Sequence, residues 1–328
     1  MINTIRIYLG TGYDPYHNLA VEKRLLDLVG QNECILYLWQ NQNTVVIGKS
    51  QNPWAECRTS LLEEEGGVLA RRLSGGGAVF HDLGNLNFTF LVATENYDVD
   101  KQLSVIQQAC CLAGITAEKS GRNDLLAEGK KFSGNAFYHS GGHSYHHGTL
   151  MVNVDKEKLG RYLSPPKAKL QAKGIASVRS RVVNLSELSP GLTVSAMKGY
   201  MVQAFQQVYG LAAEEVVLAR EDHAAIEALA DTNKSWEFLY GTPLPFTFQC
   251  EEKFDWGYIQ LQLQAKGGIV TAAKVYTDAM DWAVASQVEA ALSGCVFSIR
   301  DMQEALMNRV GNMAVADDLC RLLEKQDI

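Results

Sequence analysis

Three consecutive glycines, Gly75 to Gly77, interrupt what would otherwise be one continuous run of strand-forming residues. The surrounding stretch reads RRLSGGGAVFHDLGNLNFTF, with two arginines before the glycines and His81 after them. Glycine has no Cβ, so a ligand can come close to the backbone N–H groups of such a turn, and successive N–H groups form concave sites for anions. The stretch therefore predicts a strand, a glycine turn and a second strand. Arg72, beside the turn, would fork onto a carboxylate or phosphate.

Taken alone, the same stretch also fits a flexible hairpin loop flanked by a pair of surface arginines, because short glycine motifs occur often by chance. Several better-defined motifs do not occur in the chain: GxSxG, HExxH, a phosphate-binding loop ending in GK[ST], and GxGxxG after a first strand. These absences argue against esterases, zinc proteases and dinucleotide-binding enzymes. Glycine backbone, cations and short amides remain, and they suit stabilisation of anionic charge.

Strand-like and helical segments alternate along the first two thirds of the chain, which predicts an α/β fold. Residues 2–8 alternate in polarity like a strand, and Asp14 followed by Pro15 predicts the N-cap and first turn of a helix. Further strands are predicted at CILYLW, TVVIG, VLARR, LNFTFLV and HHGTLMVNV, and NDLLAEGKKF predicts two short strands joined at Glu128-Gly129. Further helices are predicted from Pro53 through Leu61 and Leu62, over residues 101–113, and over residues 195–209.

The pattern changes near Pro243 and Pro245. The segment GYIQLQLQAKGGIVTAAKVYTD predicts a strand, a Lys-Gly-Gly turn and a second strand, and two or three helices follow it. We therefore expect two domains. The first would span residues 1–246, and the second, a smaller α/β domain, would span residues 247–328.

Charge and cysteine content limit the possible partners and location. The 328 residues carry a formal net charge of −7, which argues against a general nucleic-acid binder. No run of roughly 18 apolar residues predicts a membrane span, and no signal peptide is recognised at the start, so a cytoplasmic location is expected. Seven cysteines without a CxxC pair suit reduced thiols in a core.

A second candidate element is GRNDLLAEGKKFSGNAF, in which two lysines precede a Ser-Gly-Asn turn. A lysine there can present its ammonium as a point charge to two anionic oxygens. Because side chains alternate along a strand, Lys130 and Lys131 should face opposite ways, and at most one should point into a site. A solvated surface charge is the simpler interpretation for any single lysine.

Two further segments carry unusual composition. HSGGHSYHHGT, residues 139–149, holds four histidines, but no cysteine or carboxylate lies within it to complete a zinc or nickel site. We expect His146 and His147 to lie on a strand, one facing the site and the other outward. From Leu159 to Ser186 there are six cations and no acid, which predicts either a solvated face or a cover for an anionic ligand or an acidic partner.

Six blocks in order resemble the lipoate-protein ligases: WQNQNTVVIGKSQNPWAEC, RRLSGGGAVFHDLGNLNFTF, GRNDLL, GKKFSGNAF, HHGTLMVN and KGIASVRSRVVNLSEL. The resemblance is dense from about Trp39 to Leu188 and looser in the C-terminal part. It implies a mixed-sheet α/β catalytic domain of the biotin/lipoate protein ligase type, with a small C-terminal α/β accessory domain. It also implies a reaction in which lipoate and ATP, with Mg²⁺, give lipoyl-AMP. The lipoyl group then passes to one lysine of a carrier domain, in the E2 subunits of 2-oxoacid dehydrogenases or the glycine cleavage H protein.

The resemblance assigns roles to residues by motif match. Lys131 would be the catalytic lysine, contacting the acyl carbonyl and the α-phosphate. The implied ATP or adenylate contacts are Arg72, Gly77, Ala78, Val79, Phe80, Asn123, Asp124 and Lys131. The implied lipoate contacts are Arg72, Ser74, Gly75, Gly76, His81, Lys131 and His147. A loop closing over the intermediate would include Lys173, Arg179 and Arg181, and no protein ligand to a metal is assigned. We expect the strands at residues 35–39 and 86–92 to line an apolar tunnel for the acyl chain.

Two other functions stay open at this stage. An octanoyl or lipoyl transferase without ATP would need a cysteine nucleophile near the pocket, and the chain has no cysteine between Cys111 and Cys250. A protein without enzymatic activity that binds a metal or an effector through its histidines is the alternative from another class.

Overall fold

The structure is a computed structural model that describes residues 1–121, 123–163, 182–241 and 244–326. Its main element is an eight-stranded mixed sheet in the order β11-β1-β2-β6-β10-β9-β8-β7. The strands are β1 (Thr4–Leu9), β2 (Glu33–Trp39), β6 (Asn85–Ala93), β7 (Glu118–Ser120), β8 (Asp124–Ala127), β9 (Lys130–Ser140), β10 (His143–Met151) and β11 (Ala213–Glu215). Strand β1 runs parallel to β2 and β11, and the other neighbours are antiparallel. The predicted mixed sheet is confirmed.

Helices cover both faces of this sheet. They are α1 (Pro15–Leu28), α4 (Val99–Leu112), α7 (Val194–Tyr209) and α8 (Arg220–Lys234). Helices α4 and α7 bury one face together with Phe88 and Phe90, and α1 and α8 bury the other with Tyr37 and Leu91. Every residue of β2 and β6 is buried. Strand β2 therefore reads as a nearly continuous apolar run because both of its faces are covered, whereas β6 also buries Asn85, Asn87 and Thr89.

Local capping explains where the first helix starts. The side chain of Asp14 accepts a hydrogen bond from the N–H of Tyr16, and Pro15 occupies the first helical position. The helix predicted from Pro53 is instead two short helices, α2 (Pro53–Glu56) and α3 (Thr59–Glu64). The chain is extended at Cys57 between them, where it bridges to Leu163, so the single predicted helix was wrong.

A small three-stranded sheet, in the order β4-β3-β5, lies beside the main one. Its strands are β3 (Thr44–Ile47), β4 (Val68–Arg71) and β5 (Val79–His81), and the glycine turn connects β4 to β5. Among the described residues, further short helices are α5 (Lys156–Tyr162), α6 (Leu185–Leu188) and α9 (Trp236–Leu239).

The turn predicted at Glu128 and Gly129 joins β8 to β9. Both residues have positive φ, 51° and 72°. Two consecutive positive φ values are typical of the tight turns whose twist matches that of antiparallel strands. This hairpin holds Lys131 at a fixed position near the start of β9.

The C-terminal part of the chain has its own hydrophobic core. It contains the antiparallel strands β12 (Phe248–Phe254), β13 (Gly257–Lys266) and β14 (Ile269–Thr277), and the helices α10 (Val284–Leu292), α11 (Ile299–Arg309) and α12 (Met313–Glu324). Between the described residues, two backbone hydrogen bonds join it to the preceding part of the chain, from Thr277 N to Ser50 O and from Gly76 N to Ala279 O. The boundary between residues 246 and 247 stays a prediction. Across the described ranges, no helix has the length and apolar character that a membrane span requires.

Candidate active site

A narrow cavity of about 130 Å³ lies between the glycine turn, β5, β9 and β10. Nine of the predicted site residues line it: Arg72, Gly76, Gly77, Ala78, Val79, His81, Asn123, Lys131 and His147. Four others, Ser74, Gly75, Phe80 and Asp124, lie next to the wall without forming it. Lys173, Arg179 and Arg181, predicted in a closing loop, lie outside the described residues. The structure thus brings the two main motifs to one cavity.

The glycine turn is closed from behind by the C-terminal part of the chain. The Gly76 N–H donates to the carbonyl oxygen of Ala279 at 3.0 Å, and Gly76 has φ 87°. A Cβ on Gly75 would lie 2.2 Å from that same oxygen and 2.7 Å from the carbonyl oxygen of Met280. Close backbone contact is therefore one reason for glycine here. The Gly76 N–H, expected to face an anion, is already occupied in this structure.

Arg72 is buried and shapes the turn. Its guanidinium donates to Ser74 Oγ and to the carbonyl oxygens of Gly75, Gly77 and Val46. Burial lowers the pKa of Arg72 to about 10. With Arg71 8% and Arg72 6% exposed, the interpretation of a surface arginine pair is wrong. Most of the N–H donors of the Arg72 guanidinium bind backbone carbonyl oxygens of the glycine turn. They fix the backbone that a ligand would approach and do not point at a ligand.

Lys131 carries the exposed ammonium of the cavity. Its Nζ lies 2.6 Å from Asp124 Oδ1, and both side chains are about one third exposed, at 37% and 34%. Lys130, the preceding residue, is exposed and does not line the cavity. The expected alternation of these two lysines is confirmed. Next to Lys131 the chain returns at Val183, whose N–H donates to the Lys131 carbonyl oxygen.

A buried polar chain crosses the closed end of the cavity. His147 Nε2 lies 2.7 Å from Ser74 Oγ, and His147 Nδ1 lies 2.7 Å from Glu22 Oε1. The same Glu22 oxygen accepts a hydrogen bond from Thr89 Oγ1. A carboxylate on one ring nitrogen fixes the orientation of the imidazole, so the other nitrogen is aimed at the serine. Ser74 itself is fully buried and does not reach the cavity wall.

Glu22 was missed by the sequence analysis. It lies within the apolar stretch LAVEKRLL of α1, where a single acid among buried residues was the available signal. Glu22 is only 2% exposed, and a carboxylate is seldom buried without a partner.

Two buried N–H donors face the cavity without a partner among the described residues. Asn41 Nδ2 is hydrogen-bonded to Nδ1 of His81, so the proton of that ring is on Nε2. Burial, Arg72 and His147 lower the pKa of His81 to about 3, which keeps the ring neutral at pH 7. His81 Nε2 and Asn87 Nδ2 make no hydrogen bond within the described chain. Buried polar groups are normally paired, so these donors indicate a ligand with acceptor atoms.

His146 does not face outward as predicted. It is fully buried on the opposite side of β10 from His147, with Nε2 2.8 Å from Asn135 Oδ1 and Nδ1 3.2 Å from Gln102 Oε1. Burial and His147 lower its pKa to about 3. Since the main sheet is covered on both sides, neither face of β10 points to solvent there. The described residues hold no group of three or more His, Cys, Asp or Glu side chains that could bind a metal ion.

The predicted apolar tunnel is only partly where it was expected. From residues 35–39 and 86–92, the described side chains on the cavity wall are Trp39 and Asn87. Leu36, Leu38 and Phe88 belong to the core below α4 and α7. The other apolar wall residues are Leu19, Val46, Ala78, Val79 and Ala136.

Comparison with known proteins gives two family matches. Residues 14–206 match the family described as the lipoyl protein ligase A/B catalytic domain, and residues 244–321 match the bacterial lipoate protein ligase C-terminus. Among solved structures, LipL1 of P. falciparum in complex with lipoate is 25% identical, with a TM-score of 0.85 over 98% of this chain and 100% of that chain.

Two further solved structures share the fold at lower identity. A bi-partite lipoate protein ligase and its E2 lipoyl domain from Thermoplasma acidophilum gives 22% identity and a TM-score of 0.66 over 76% of this chain and 100% of that chain. Lipoate-protein ligase A bound with ATP gives 22% identity and a TM-score of 0.64 over 74% of this chain and 99% of that chain. Since the first family match alone spans more than half of the sequence, the chain belongs to the lipoyl protein ligase A/B family.

Proposed function

We propose that this protein joins free lipoate to ATP as lipoyl-AMP and then transfers the lipoyl group to one lysine of a lipoyl carrier domain. The observation that carries the proposal is the Lys131 ammonium, which shares one cavity with the glycine turn and with two unpaired buried donors. Relatives support the substrates: LipL1 was solved with lipoate, and lipoate-protein ligase A with ATP. The proposed carriers are E2 lipoyl domains and the glycine cleavage H protein, and a T. acidophilum relative was studied with an E2 lipoyl domain.

In the first step a lipoate carboxylate oxygen attacks the α-phosphorus of ATP, a mixed anhydride bond forms, and pyrophosphate leaves. Both reacting groups are anionic, so a cation and N–H donors between them lower the barrier electrostatically. Lys131 supplies the cation, and Gly77 and Ala78, at the open edge of the glycine turn, supply backbone N–H groups as donors. In this arrangement Asn123 and Val79 contact the nucleotide. Phe80 and Asp124 lie behind the cavity wall and pack against the residues that form it.

In the second step the carrier lysine attacks the acyl carbon as a free amine and an amide bond forms. The amine nitrogen gives one proton to solvent, and AMP leaves with the electron pair of the broken anhydride bond. Negative charge collects on the acyl oxygen before the bond breaks. The Lys131 ammonium would stabilise that oxygen as well. At the closed end of the cavity, His81 and Asn87 present their N–H groups to acceptor atoms of the acyl substrate. The hydrogen bonds between Glu22 and His147 and between His147 and Ser74 keep this part of the cavity wall in place.

Mg²⁺ would accompany ATP. This ion usually keeps several waters and takes one or two carboxylates in addition to phosphate oxygens. Asp124, the carboxylate next to Lys131, lies behind the described cavity wall and is paired with the Lys131 ammonium, so the ion would be held chiefly by phosphate oxygens and water. When bound, the ion would neutralise phosphate charge.

The rival transferase reaction would need a reactive thiol. No cysteine of the described chain lines the cavity. Burial raises the pKa of Cys34, Cys57 and Cys110 to about 12, which disfavours the nucleophilic thiolate. This chemistry supports the route through ATP.

Lipoate-dependent exchange of labelled pyrophosphate into ATP tests the first step, and lipoylation of an apo carrier domain tests the second, with octanoate run in parallel. We expect exchange and carrier labelling that both require ATP. Acyl transfer from a carrier donor without exchange would instead establish the transferase. We also propose that the chain divides into two domains, residues 1–246 and 247–328. This division predicts that residues 1–246 fold on their own, which circular dichroism of that segment would measure.

A further inference from the structure

A second cavity, of about 280 Å³, lies between the catalytic part and the C-terminal part of the chain. Lys49, Gln51 and Arg71 line it from the catalytic side, and Lys274, Tyr276 and Trp282 line it from the other. No residue of this cavity belongs to the wall of the candidate active site. It is therefore a separate space built by both parts.

Positive charge faces this cavity without a matching carboxylate. Arg71 is 8% exposed, and its guanidinium donates to the carbonyl oxygens of Gly48, Lys49, Gln51, Phe238 and Leu239. These acceptors satisfy hydrogen bonds but carry no charge. Within the described ranges neither the buried Arg71 nor the partly exposed Lys49 forms an ion pair, and a buried charge such as that of Arg71 is normally paired.

Lys49 and Gln51 offer donors at the same place. The Lys49 ammonium lies 3.9 Å from the centre of the Trp282 ring, and burial lowers the pKa of Lys49. Gln51 is 1% exposed; its Oε1 accepts from the Gly48 N–H at 2.8 Å, while its Nε2 has no partner in the described chain. Both side chains line the same cavity, and a buried amide N–H without a partner is the pattern expected where a ligand contributes the acceptor.

The acidic side chains near this cavity do not neutralise all of its positive charge. Glu289 lies 3.5 Å from Lys274 and also accepts from the Val275 N–H, and Glu237 is exposed at the rim. Three cations therefore face two carboxylates, one of which is paired to Lys274. The net charge toward the interior of the cavity is positive.

We propose that this cavity is a binding site for a small oxyanion, held by the Lys49 ammonium and the Gln51 amide in the field of Arg71. A planar carboxylate and a tetrahedral phosphate share the acceptor chemistry that these donors require. A bound anion would link the two parts of the chain, since Lys49 and Gln51 come from one part and Trp282 and Lys274 from the other. The proposal does not depend on the ligase reaction.

The site is also connected to the glycine turn. The Lys49 N–H donates to the Ser74 carbonyl oxygen at 2.9 Å, and the Ser50 carbonyl oxygen accepts from Thr277 N. Segment 48–51, which forms the floor of the cavity, therefore touches both the turn and strand β14. Occupancy of the cavity would favour the docked position of the C-terminal part.

Isothermal titration calorimetry of the full-length protein with inorganic phosphate, and separately with succinate, tests the site at constant ionic strength set with chloride. The variants are Lys49→Gln and Gln51→Leu, with Lys131→Ala marking the candidate active site. Lys325→Gln is the control, because Lys325 is a surface lysine paired with Glu252 in the C-terminal part. Circular dichroism confirms that each variant is folded.

We expect saturable binding of at least one anion by the wild type, Lys131→Ala and Lys325→Gln. Loss of the ammonium should weaken it by about tenfold or more, the typical loss for one charge-assisted hydrogen bond. Gln51→Leu should also weaken anion binding, so this variant still tests the proposal if Lys49→Gln fails to fold. Binding that disappears in Lys131→Ala and persists in Lys49→Gln would place the anion in the active site and overturn the proposal, as would no saturable binding of either anion.

Discussion

Nδ1 of His147 lies 2.7 Å from Oε1 of Glu22, in the interior of the catalytic domain. These residues are 125 positions apart, yet together with Ser74 they form one continuous hydrogen-bonded chain behind the candidate active site. The imidazole is on the cavity wall and the carboxylate is not. We therefore expect Glu22 to affect a bound ligand through the position of His147.

Replacing Glu22 with leucine should destabilise the fold and weaken lipoate binding. It leaves His147 Nδ1 and Thr89 Oγ1 without their shared acceptor, and each unpaired buried group costs about 1–3 kcal/mol. We expect the KM for lipoate to rise about tenfold or more, with a smaller change in kcat, because binding depends on a fixed wall. Urea unfolding and steady-state kinetics measure the two effects.

Glu22→Gln keeps an acceptor oxygen and should give intermediate values in both measurements. The control is Glu304→Gln, at an exposed position on α11. If Glu22→Leu binds lipoate like the wild type, orientation of His147 by Glu22 has no role in binding.

The paired lysines at the start of β9 give the most direct test of the catalytic assignment. Lys131→Ala removes the ammonium from the cavity and should slow formation of lipoyl-AMP by about 100- to 1000-fold, the usual loss for one preorganised donor. Lys130→Ala is the matched control, because this neighbouring side chain is exposed and outside the cavity. Pyrophosphate exchange measures both. Equal rates for Lys131→Ala and the wild type would contradict the assignment.

Local patterns predicted the elements well, because the determinants of those elements are local. Asp14 and Pro15 cap α1, and Glu128 and Gly129 form the turn before Lys131, as expected from a few neighbouring residues. The motif resemblance also placed Lys131 on the cavity wall, together with most of the predicted contacts.

The failures have a shared physical cause, which is burial by segments far away in the chain. His146 was expected outward, but Gln102 on α4 and Asn135 on β9 satisfy it inside the core. The free N–H groups of the glycine turn were expected to face a ligand, but Ala279, about 200 residues away, accepts from one of them. Neither partner can be inferred from the residues adjacent in sequence.

Two buried histidines should make the fold sensitive to mild acid. The pKa of His81 and of His146 is about 3 in the folded protein because burial opposes the charged ring, against about 6.5 in an unfolded chain. Between these values the unfolded state binds more protons, so stability falls as the pH falls. From pH 6 to pH 5 the pair should lower the free energy of unfolding by about 2 kcal/mol.

Urea unfolding of the wild type and of His146→Gln at the two pH values checks this. With one of the two groups removed, the loss between pH 6 and pH 5 should be about half as large. An unchanged loss in the variant would show that His146 takes no part in the acid sensitivity.

The glycine turn offers a matched pair of substitutions. A Cβ on Gly75 would lie 2.2 Å from the Ala279 carbonyl oxygen and 2.7 Å from that of Met280, whereas a Cβ on Gly77 would meet nothing within 4 Å. Gly75→Ala must therefore push the segment at 279–280 away from the turn. Overpacking of this kind costs about 1–3 kcal/mol. We expect a lower midpoint of thermal unfolding and faster proteolysis between the two parts of the chain.

Gly77→Ala carries the same added methyl group two residues away and should leave the unfolding midpoint close to that of the wild type. Calorimetric scans of both variants, with limited trypsin digestion, separate a local effect of the methyl group from displacement of the C-terminal part. If Gly75→Ala unfolds and is digested like Gly77→Ala, the contact between the turn and Ala279 does not hold the two parts together. The requirement for glycine at position 75 would then have to come from the ligand side of the turn.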